Sequence, residues 1–169
     1  MRKIIVFDTS IYCVWLNIPG FGNCGHDDDL WDFQRIDDKI SEEIENDSTL
    51  VLPLATIIET GNHLSQCNGD RYTLAQHFCE LLRKSVDNEN PWAAFSEQGD
   101  LWNDESLRAL ATNWPELAVQ RISLGDATIK DVAEYYSKIG YEVEILTCDQ
   151  GLKAYEPERE SRLIPRRRK

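Results

Sequence analysis

Three short apolar runs, separated by stretches with helical periodicity, constrain the fold of this chain most strongly. The runs lie at residues 4–7, 50–54 and 143–147. Each is too short for a helix and is interpreted as a buried strand. Pro53 is compatible with a strand only if that strand lies at a sheet edge or ends at the proline. A weaker fourth candidate strand lies at residues 162–164.

Apolar residues recur at helical spacing in the intervening stretches. These stretches cover residues 30–44, 56–64, 72–86, 105–111 and 127–139, and Gly140 predicts the end of the last one. Because strands alternate with helices, we expect helices on both faces of a parallel sheet. The predicted fold is therefore a three-layer α/β/α arrangement around a central, mostly parallel sheet of four to five strands.

Length and composition fit one domain spanning residues 1–169. A hydrophobic fraction of 41% can supply a core without disulfides or structural metal. Residues 18–29 lack periodicity and are predicted to form an exposed loop. Residues 87–124 form a less regular, aromatic segment. Its aromatic side chains are candidates for nucleobase stacking, although such residues more often pack around short helices.

The cysteines and the hydropathy of the chain predict a reduced, cytoplasmic protein without a membrane span. Five cysteines form an odd set with no C-x-x-C pair, which argues against a disulfide framework and a zinc knuckle. We interpret them as thiols, most of them buried. No apolar stretch approaches the roughly 20 residues that span a bilayer. The N-terminus also loses its apolar character at Asp8, too early for a signal peptide.

The charge of the chain restricts how it could bind nucleic acid. Acidic residues outnumber basic ones 30 to 18, and the formal net charge is −12. This sign excludes binding through the whole surface, so any such contact must be local. Arg166, Arg167, Arg168 and Lys169 form a basic tail. The tail is a candidate for phosphate binding, and the alternative is a solubilising end.

Four acidic residues map to one edge of the predicted sheet. Asp8 ends the first strand, and Glu59 lies in the first turn after the second. Asp126 opens a helix, and Asp149 ends the strand that follows it. In a parallel α/β sheet, the carboxyl ends of strands and the N-termini of the next helices share one edge, where ligands bind. We therefore expect the four carboxylates to converge there.

Three of these acids also have an ordinary structural explanation. Residues 56–59 match a capping box that would engage Glu59, Asp126 suits a helix N-cap, and Asp149 suits a turn. Asp8 is different, because a carboxylate at the end of an apolar strand must be solvated, paired or metal-bound. No Lys or Arg in the sequence is an obvious partner for it.

Converging carboxylates repel one another unless a cation lies among them. Oxygen ligands suit Mg²⁺ or Mn²⁺, and the absence of clustered His and Cys disfavours zinc. His63 lies four residues after Glu59, where a ligand role competes with an ordinary surface or core role. His26 lies between Cys24 and the acidic run 27–29, a pattern that could form a second metal site. A solvated run of charges explains the same pattern equally well.

The sequence around the four acids resembles the PIN-domain family of metal-dependent ribonucleases, which includes the VapC-type toxins of bacterial toxin–antitoxin pairs. The matching motifs are Phe7-Asp8-Thr9-Ser10, Ile58-Glu59-Thr60-Gly61-Asn62, Gly125-Asp126-Ala127-Thr128-Ile129 and Leu146-Thr147-Cys148-Asp149. Their order and context match together over most of the chain. By the same resemblance, residues 163–165 would be the last strand.

This resemblance implies a PIN-like fold and an endoribonuclease that hydrolyses RNA with Mg²⁺ or Mn²⁺. Asp8 and Asp126 would bind metal directly, Glu59 would bind metal or accept a proton, and Asp149 would bind a second metal or orient water. Supporting roles would fall to Ser10, Thr147 and Asn62. Independently of the resemblance, the basic residues Arg166, Arg167 and Arg168 are candidates for substrate binding. Candidate partners are an antitoxin protein and a second copy of the chain. The long segments at 18–29 and 87–124 leave the RNA target and the toxin role open.

Three other classes of protein are alternatives to a ribonuclease. A HAD-type phosphatase needs a second Asp two residues after the first, where this chain has Ser10. A receiver domain needs an acidic pair after the first strand, and none is present. A PIN-like module that binds RNA or protein without cleavage is the main alternative, and the presence of all four acids counts against it.

Overall fold

A three-stranded parallel sheet forms the centre of the computed structural model, which describes residues 2–158. The strands in chain order are β1 (Lys3–Phe7), β2 (Asn23–Cys24), β3 (Trp31–Asp32), β4 (Thr49–Val51) and β5 (Glu142–Leu146). The main sheet has the order β4-β1-β5, with Ile5 of β1 opposite Leu50 and Glu144. β2 and β3 form a separate antiparallel hairpin.

Seven α-helices and one 3₁₀ helix surround this sheet in the described part of the chain. They are α1 (Thr9–Trp15), α2 (Phe33–Glu45), α3 (Leu54–Gln66), α4 (Arg71–Val86), the 3₁₀ helix (Phe95–Trp102), α5 (Asp104–Val119), α6 (Leu124–Lys138) and α7 (Gln150–Lys153). The five helical stretches predicted from periodicity correspond to α2 through α6. Gly140 follows the C-cap of α6 with a φ of 98°, which confirms its predicted role.

Alternation along β1 divides the core into two parts. Ile5 and Phe7 face a cluster that includes α1, α2 and α4, whereas Ile4 and Val6 face one that includes α6. Both faces of the sheet are therefore covered by helices, as the alternation of strands and helices predicted. All four of these β1 side chains are buried, which places the end of β1 in the middle of the molecule.

The predicted sheet of four to five strands is wrong for the described residues, in which the main sheet has three. The second strand also ends earlier than predicted, because Pro53 is the N-cap of α3. Beyond β4, Leu50 donates to the carbonyl of Pro91 and accepts from the amide of Ala93. This contact is an isolated bridge rather than a strand. The candidate strand at residues 162–164 lies outside the described residues.

The two irregular segments contain regular structure. The exposed loop predicted at residues 18–29 carries β2 and begins at the buried Ile18. Residues 87–124 contain the 3₁₀ helix and α5. Trp92 from this segment is buried and stacks on Phe7, with the ring centroids 5.8 Å apart. For this residue, packing rather than nucleobase stacking is the correct interpretation.

All five cysteines are free thiols. Cys13 and Cys67 are buried and the other three are partly exposed, so the prediction that most of them are buried is wrong. None of the helices within residues 2–158 is both long enough and apolar enough to cross a bilayer.

Candidate functional site

Asp8 lies at the carboxyl end of β1 and is almost fully buried, with 6% of its surface exposed. Its backbone is fixed on both sides, since its amide donates to the carbonyl of Leu146 and its carbonyl accepts from the amide of Tyr12. The side chain is held equally firmly. Oδ2 accepts from the hydroxyls of Ser10, at 2.8 Å, and Thr147, at 2.7 Å.

Within residues 2–158, no basic side chain neutralises the charge on Asp8. Burial raises the pKa of its carboxyl above the ordinary value, and the negative charge of Asp126 adds to this shift. The hydrogen bonds from Thr147 and Ser10 lower the pKa and oppose the shift only in part. No ion pair among residues 2–158 includes Asp8. The end of β1 is therefore a place where a cation would be stabilised.

Glu59 lies in the second turn of α3 rather than in a capping box. The N-cap is Pro53, and the hydroxyl of Thr56 donates to the buried carbonyl of Phe7 at 2.8 Å. The capping explanation for Glu59 is therefore wrong. Its Oε2 instead accepts from the hydroxyl of Thr9 at 2.7 Å. This bond joins Glu59 to the residue that follows Asp8.

The Glu59 carboxylate also lies directly on the backbone of Gly125. A Cβ atom added to Gly125 would stand 2.3 Å from Oε1 of Glu59 and 3.2 Å from its Cδ. A side chain at position 125 would displace the Glu59 carboxylate from this position. Gly125 immediately precedes Asp126, so the contact brings Glu59 to the first turn of α6.

Asp126 takes part in a capping box, although not as the N-cap that the sequence suggested. Ser123 is the N-cap of α6, and its hydroxyl accepts from the amide of Asp126 at 3.0 Å. In return, Oδ2 of Asp126 accepts from the backbone amide of Ser123 at 3.3 Å and from its hydroxyl at 2.7 Å. A structural role for Asp126 is therefore present, and it engages one of the two carboxylate oxygens.

Asp149 is exposed and caps α7, which agrees with its structural explanation. Its Oδ1 accepts from the amides of Gly151, at 2.7 Å, and Leu152, at 3.4 Å. The backbone of Asp149 is nevertheless tied to the buried acid, because its amide donates to the hydroxyl of Thr147 at 3.0 Å. That same hydroxyl donates to Asp8.

The four predicted acids are thus joined to one edge of the sheet, but they are not assembled as a metal cluster. Hydrogen bonds, the Gly125 contact and electrostatic coupling link Asp8, Glu59 and Asp126. Asp149 belongs to the adjacent connection from β5 to α7. Across residues 2–158, no group of three or more His, Cys, Asp or Glu side chains is arranged to hold a metal ion.

The remaining predicted residues fall into three groups. Ser10 and Thr147 contact Asp8 directly. Asn62 is exposed on α3, where its carbonyl accepts from the hydroxyl of Ser65. Arg166, Arg167 and Arg168, proposed as substrate ligands, lie outside the described residues.

The two histidines singled out in the sequence have ordinary surroundings. His63 is exposed, one turn after Glu59, and its ring lies edge-on to Phe21 with the centroids 4.8 Å apart. His26 is exposed in a turn in which its carbonyl accepts from the amide of Asp29. Both arrangements agree with surface roles.

A pair of cysteines adjoins the acids. The Cys24 thiol is hydrogen-bonded to Cys148, whose sulfur lies 3.5 Å from the hydroxyl of Ser10. The bond from Cys24 lowers the pKa of the Cys148 thiol to about 7, with a further contribution from Ser10, against the opposing effects of burial and of Asp8. The same bond raises the pKa of Cys24.

Sequence reasoning missed two residues that position the acids, Thr9 and Gly125. Thr9 had a signal, since it is a hydroxyl residue directly after the strand-ending Asp8. Gly125 had a weaker one, a glycine in the first turn of a predicted helix, where it lowers helix propensity and so needs a packing reason. The Cys24–Cys148 pair had none, because 124 positions separate the two residues.

Comparison with known proteins gives no significant match, whether to a family model, to a curated protein or to a solved structure.

Proposed function

We propose that this chain is a metal-dependent endoribonuclease with a PIN-like fold. The observation that carries the proposal is the buried carboxylate of Asp8 at the end of the central strand, which has no ion-pair partner among residues 2–158 and feels the negative charge of Asp126. Such a charge is costly unless a cation or proton accompanies it. A carboxylate without a bound partner would be more stable at the exposed surface, so its burial at the end of β1 calls for a cation.

The surrounding donors fit Mg²⁺ or Mn²⁺, because they are hard oxygen ligands. Asp8, Glu59 and Asp126 would hold the ion, and the absence of a side chain at Gly125 makes room for the Glu59 carboxylate. When bound, the ion would polarise a phosphodiester and activate water. Asp149 would orient that water or bind a second ion, which requires its carboxylate to leave the cap of α7.

The protein side of this chemistry is mainly positioning. Ser10 and Thr147 fix Oδ2 of Asp8 and so orient its other oxygen. Thr9 holds one oxygen of Glu59, which leaves the other to bind metal or to accept a proton from water. Hydroxyl groups that orient a ligand in this way are typical neighbours of metal sites.

RNA is the proposed substrate, by the resemblance of the four motifs. A net charge of −12 means that the metal ions, together with a local basic segment such as residues 166–168, must offset phosphate repulsion. A role as the toxin of a toxin–antitoxin pair or in RNA processing in the cytoplasm belongs to the same proposal, as do an antitoxin and a homodimer as partners.

A second candidate function is a PIN-like module that binds RNA or protein without cleavage. The capping roles of Asp126 and Asp149 favour it, because each acid has a structural reason to be present without metal. The two candidate functions make different predictions. Only the nuclease yields RNA cleavage products, and only the nuclease needs the acids to do so.

The deciding experiment incubates a mixture of end-labelled RNAs with the protein in Mg²⁺, in Mn²⁺ or in EDTA. We expect cleavage products with either metal, none with EDTA, and at least a ~100-fold slower reaction for Asp8→Asn. The matched control is Asp131→Asn, since Asp131 is a partly buried acid of α6 that pairs with Lys130. It should cleave like the unmodified chain.

Two results would decide against the nuclease. Full activity of Asp8→Asn would mean that any cleavage arises elsewhere. Retention of RNA by a filter, without products in either metal, would support the binding module.

A further inference from the structure

Cys24 and Cys148 are distant in the sequence, but their side chains meet beside the acidic edge. Both side chains pack against the same core cluster, and each thiol shifts the pKa of the other. The turn that follows Cys24 lies against Cys148, because a Cβ atom at Gly25 would lie 3.5 Å from Cβ of Cys148. Both residues are partly exposed. Two thiols in this arrangement are within reach of each other and of a solvent-borne reagent.

The β2–β3 hairpin presents Cys24 in a fixed position. Gly25 has a φ of 98°, and a Cβ there would stand 2.4 Å from the carbonyl oxygen of Asp29, so the turn requires glycine. Cys24 pairs with Trp31 in the hairpin. Arg35 of α2 lies 3.9 Å from the centroid of the Trp31 ring and bonds Asp29 at 2.7 Å. The hairpin is therefore fastened to the body of the protein.

Cys148 is positioned from the opposite side. It lies between Thr147, whose hydroxyl binds Asp8, and Asp149, which caps α7. Its sulfur also contacts the hydroxyl of Ser10. Its position is thus set by the same network that holds the buried carboxylate.

We propose that Cys24 and Cys148 are a redox-modified pair that closes into an intramolecular disulfide. The oxidant class is a small-molecule disulfide such as oxidised glutathione. One thiolate attacks the glutathione disulfide and releases one glutathione thiol, and the second cysteine then attacks the protein sulfur and releases another. Two protein thiols are oxidised to one S–S bond, and one oxidised glutathione is reduced to two glutathione molecules.

The other cysteines have different surroundings. Cys13 and Cys67 are buried, and Cys13 donates to the hydroxyl of Thr60 at a sulfur–oxygen distance of 3.9 Å. Cys79 is partly exposed on α4, like the pair, and is the matched control. The pairing should therefore be selective among the five thiols.

The test treats the full chain with oxidised glutathione, removes the reagent and measures mass, thiol number and peptide map. We expect the titratable thiols of the unfolded protein to fall from five to three, without retained glutathione, and a peptide containing Cys24 linked to one containing Cys148. Cys79→Ser should still form this link. Cys24→Ser and Cys148→Ser should each hold a single glutathione instead.

Several outcomes would overturn the proposal. They are five remaining thiols, a stable glutathione adduct on Cys24 or Cys148 of the unmodified chain, or a link to another cysteine or another molecule. Mapping the unmodified chain decides the question even if a serine variant fails to fold. No step measures RNA cleavage, so this result is independent of the proposed nuclease.

Discussion

At the scale of single residues, Asp8 is held by its neighbours in a way that no local sequence rule explains. An aspartate before a helix usually caps it through its side chain, but Asp8 makes no side-chain cap to α1. Its carboxylate instead binds Ser10 and Thr147, which come from different parts of the chain. The acid that is hardest to explain from sequence therefore has no capping role, and Glu59 has none either.

Gly125 gives a residue-scale prediction about the position of Glu59. In Gly125→Ala, the new methyl group would overlap Oε1 of Glu59, and that flexible side chain must move away. We expect RNA cleavage to fall by roughly 10–100-fold, the range seen when groups around a metal are displaced. Thermal stability should change little, since alanine favours the helix. Cleavage rates and melting curves measure the two effects.

Gly61→Ala is the control for this prediction. Gly61 lies in α3 beside the same site, and a Cβ there meets nothing within 4 Å. It should keep its activity and gain roughly 0.5–1 kcal/mol of stability. Equal losses of activity in both variants would mean that helix propensity, not the Glu59 contact, is responsible.

At the scale of elements, the attachment of α3 to β1 sets the distance between Glu59 and Asp8. The attachment is the buried hydrogen bond from Thr56 to the carbonyl of Phe7. In Thr56→Val, the carbonyl loses its donor at constant side-chain shape. We expect a loss of about 1–3 kcal/mol in the free energy of unfolding, measured by urea denaturation.

Ser65→Ala is the matched control on the same helix. Its hydroxyl bonds the carbonyl of Asn62 at the surface, where water can replace it. We expect a change within about 0.5 kcal/mol. A Thr56→Val protein as stable as this control would show that the buried bond contributes little.

The elements that could be predicted from sequence are those in which apolar residues recur at a regular spacing or form a short run with clear ends. Helices α2 through α6 follow from apolar spacing, and β1 and β5 from short apolar runs. Helix α1 was missed because its sequence, Thr9–Trp15, is apolar on most sides and gives no stripe. The end of β4 was misplaced because the run 50–54 stays apolar while Pro53 already caps α3.

The site was predictable only in part for a related reason. Topology places the ends of β1 and β5 and the start of α6 at one edge, and this can be inferred from the order of elements. How each carboxylate is engaged depends on neighbours such as Ser123 and Thr9, which sequence spacing does not identify. Whether the chain binds metal and cleaves RNA remains a prediction.

At the scale of the whole molecule, a network of ion pairs joins the end of the sheet opposite the acids. Its centre is Glu43 of α2, which is buried and binds Lys3 of β1 at 2.5 Å, Lys39 at 2.6 Å and the hydroxyl of Ser48. Glu144 of β5 binds Lys3 at 2.6 Å. The network therefore connects α2 with two strands.

This network predicts how stability depends on pH. Burial raises the pKa of Glu43, but the bonds from Lys3, Lys39 and Ser48 outweigh it and lower the pKa from 4.5 to about 2. Because the folded pKa is depressed, the stabilisation is complete above pH 4.5 and is lost as the pH falls toward about 2. We expect a loss of roughly 1–3 kcal/mol over that interval from this group.

The measurement is the free energy of unfolding in urea at several pH values for the unmodified chain and for Glu43→Gln. The variant should lack this part of the acid-induced loss and be less stable at pH 7. Glu45→Gln, which changes an exposed acid of the same helix, should follow the unmodified chain. An identical pH dependence in all three proteins would contradict the assignment to Glu43.

The backbone contacts of residues 91–93 with β4 have a consequence for how the molecule behaves at high concentration. An outer strand with free amides and carbonyls is a template for a strand from another chain. At Leu50, both groups are already occupied by Pro91 and Ala93. On the other outer strand, the Ile145 amide binds Glu156 at 2.9 Å, and its carbonyl binds Lys153 at 3.0 Å. At these two positions a strand from a neighbouring chain cannot add to the sheet, because the backbone groups are occupied. This protection of both outer strands opposes aggregation at high protein concentration.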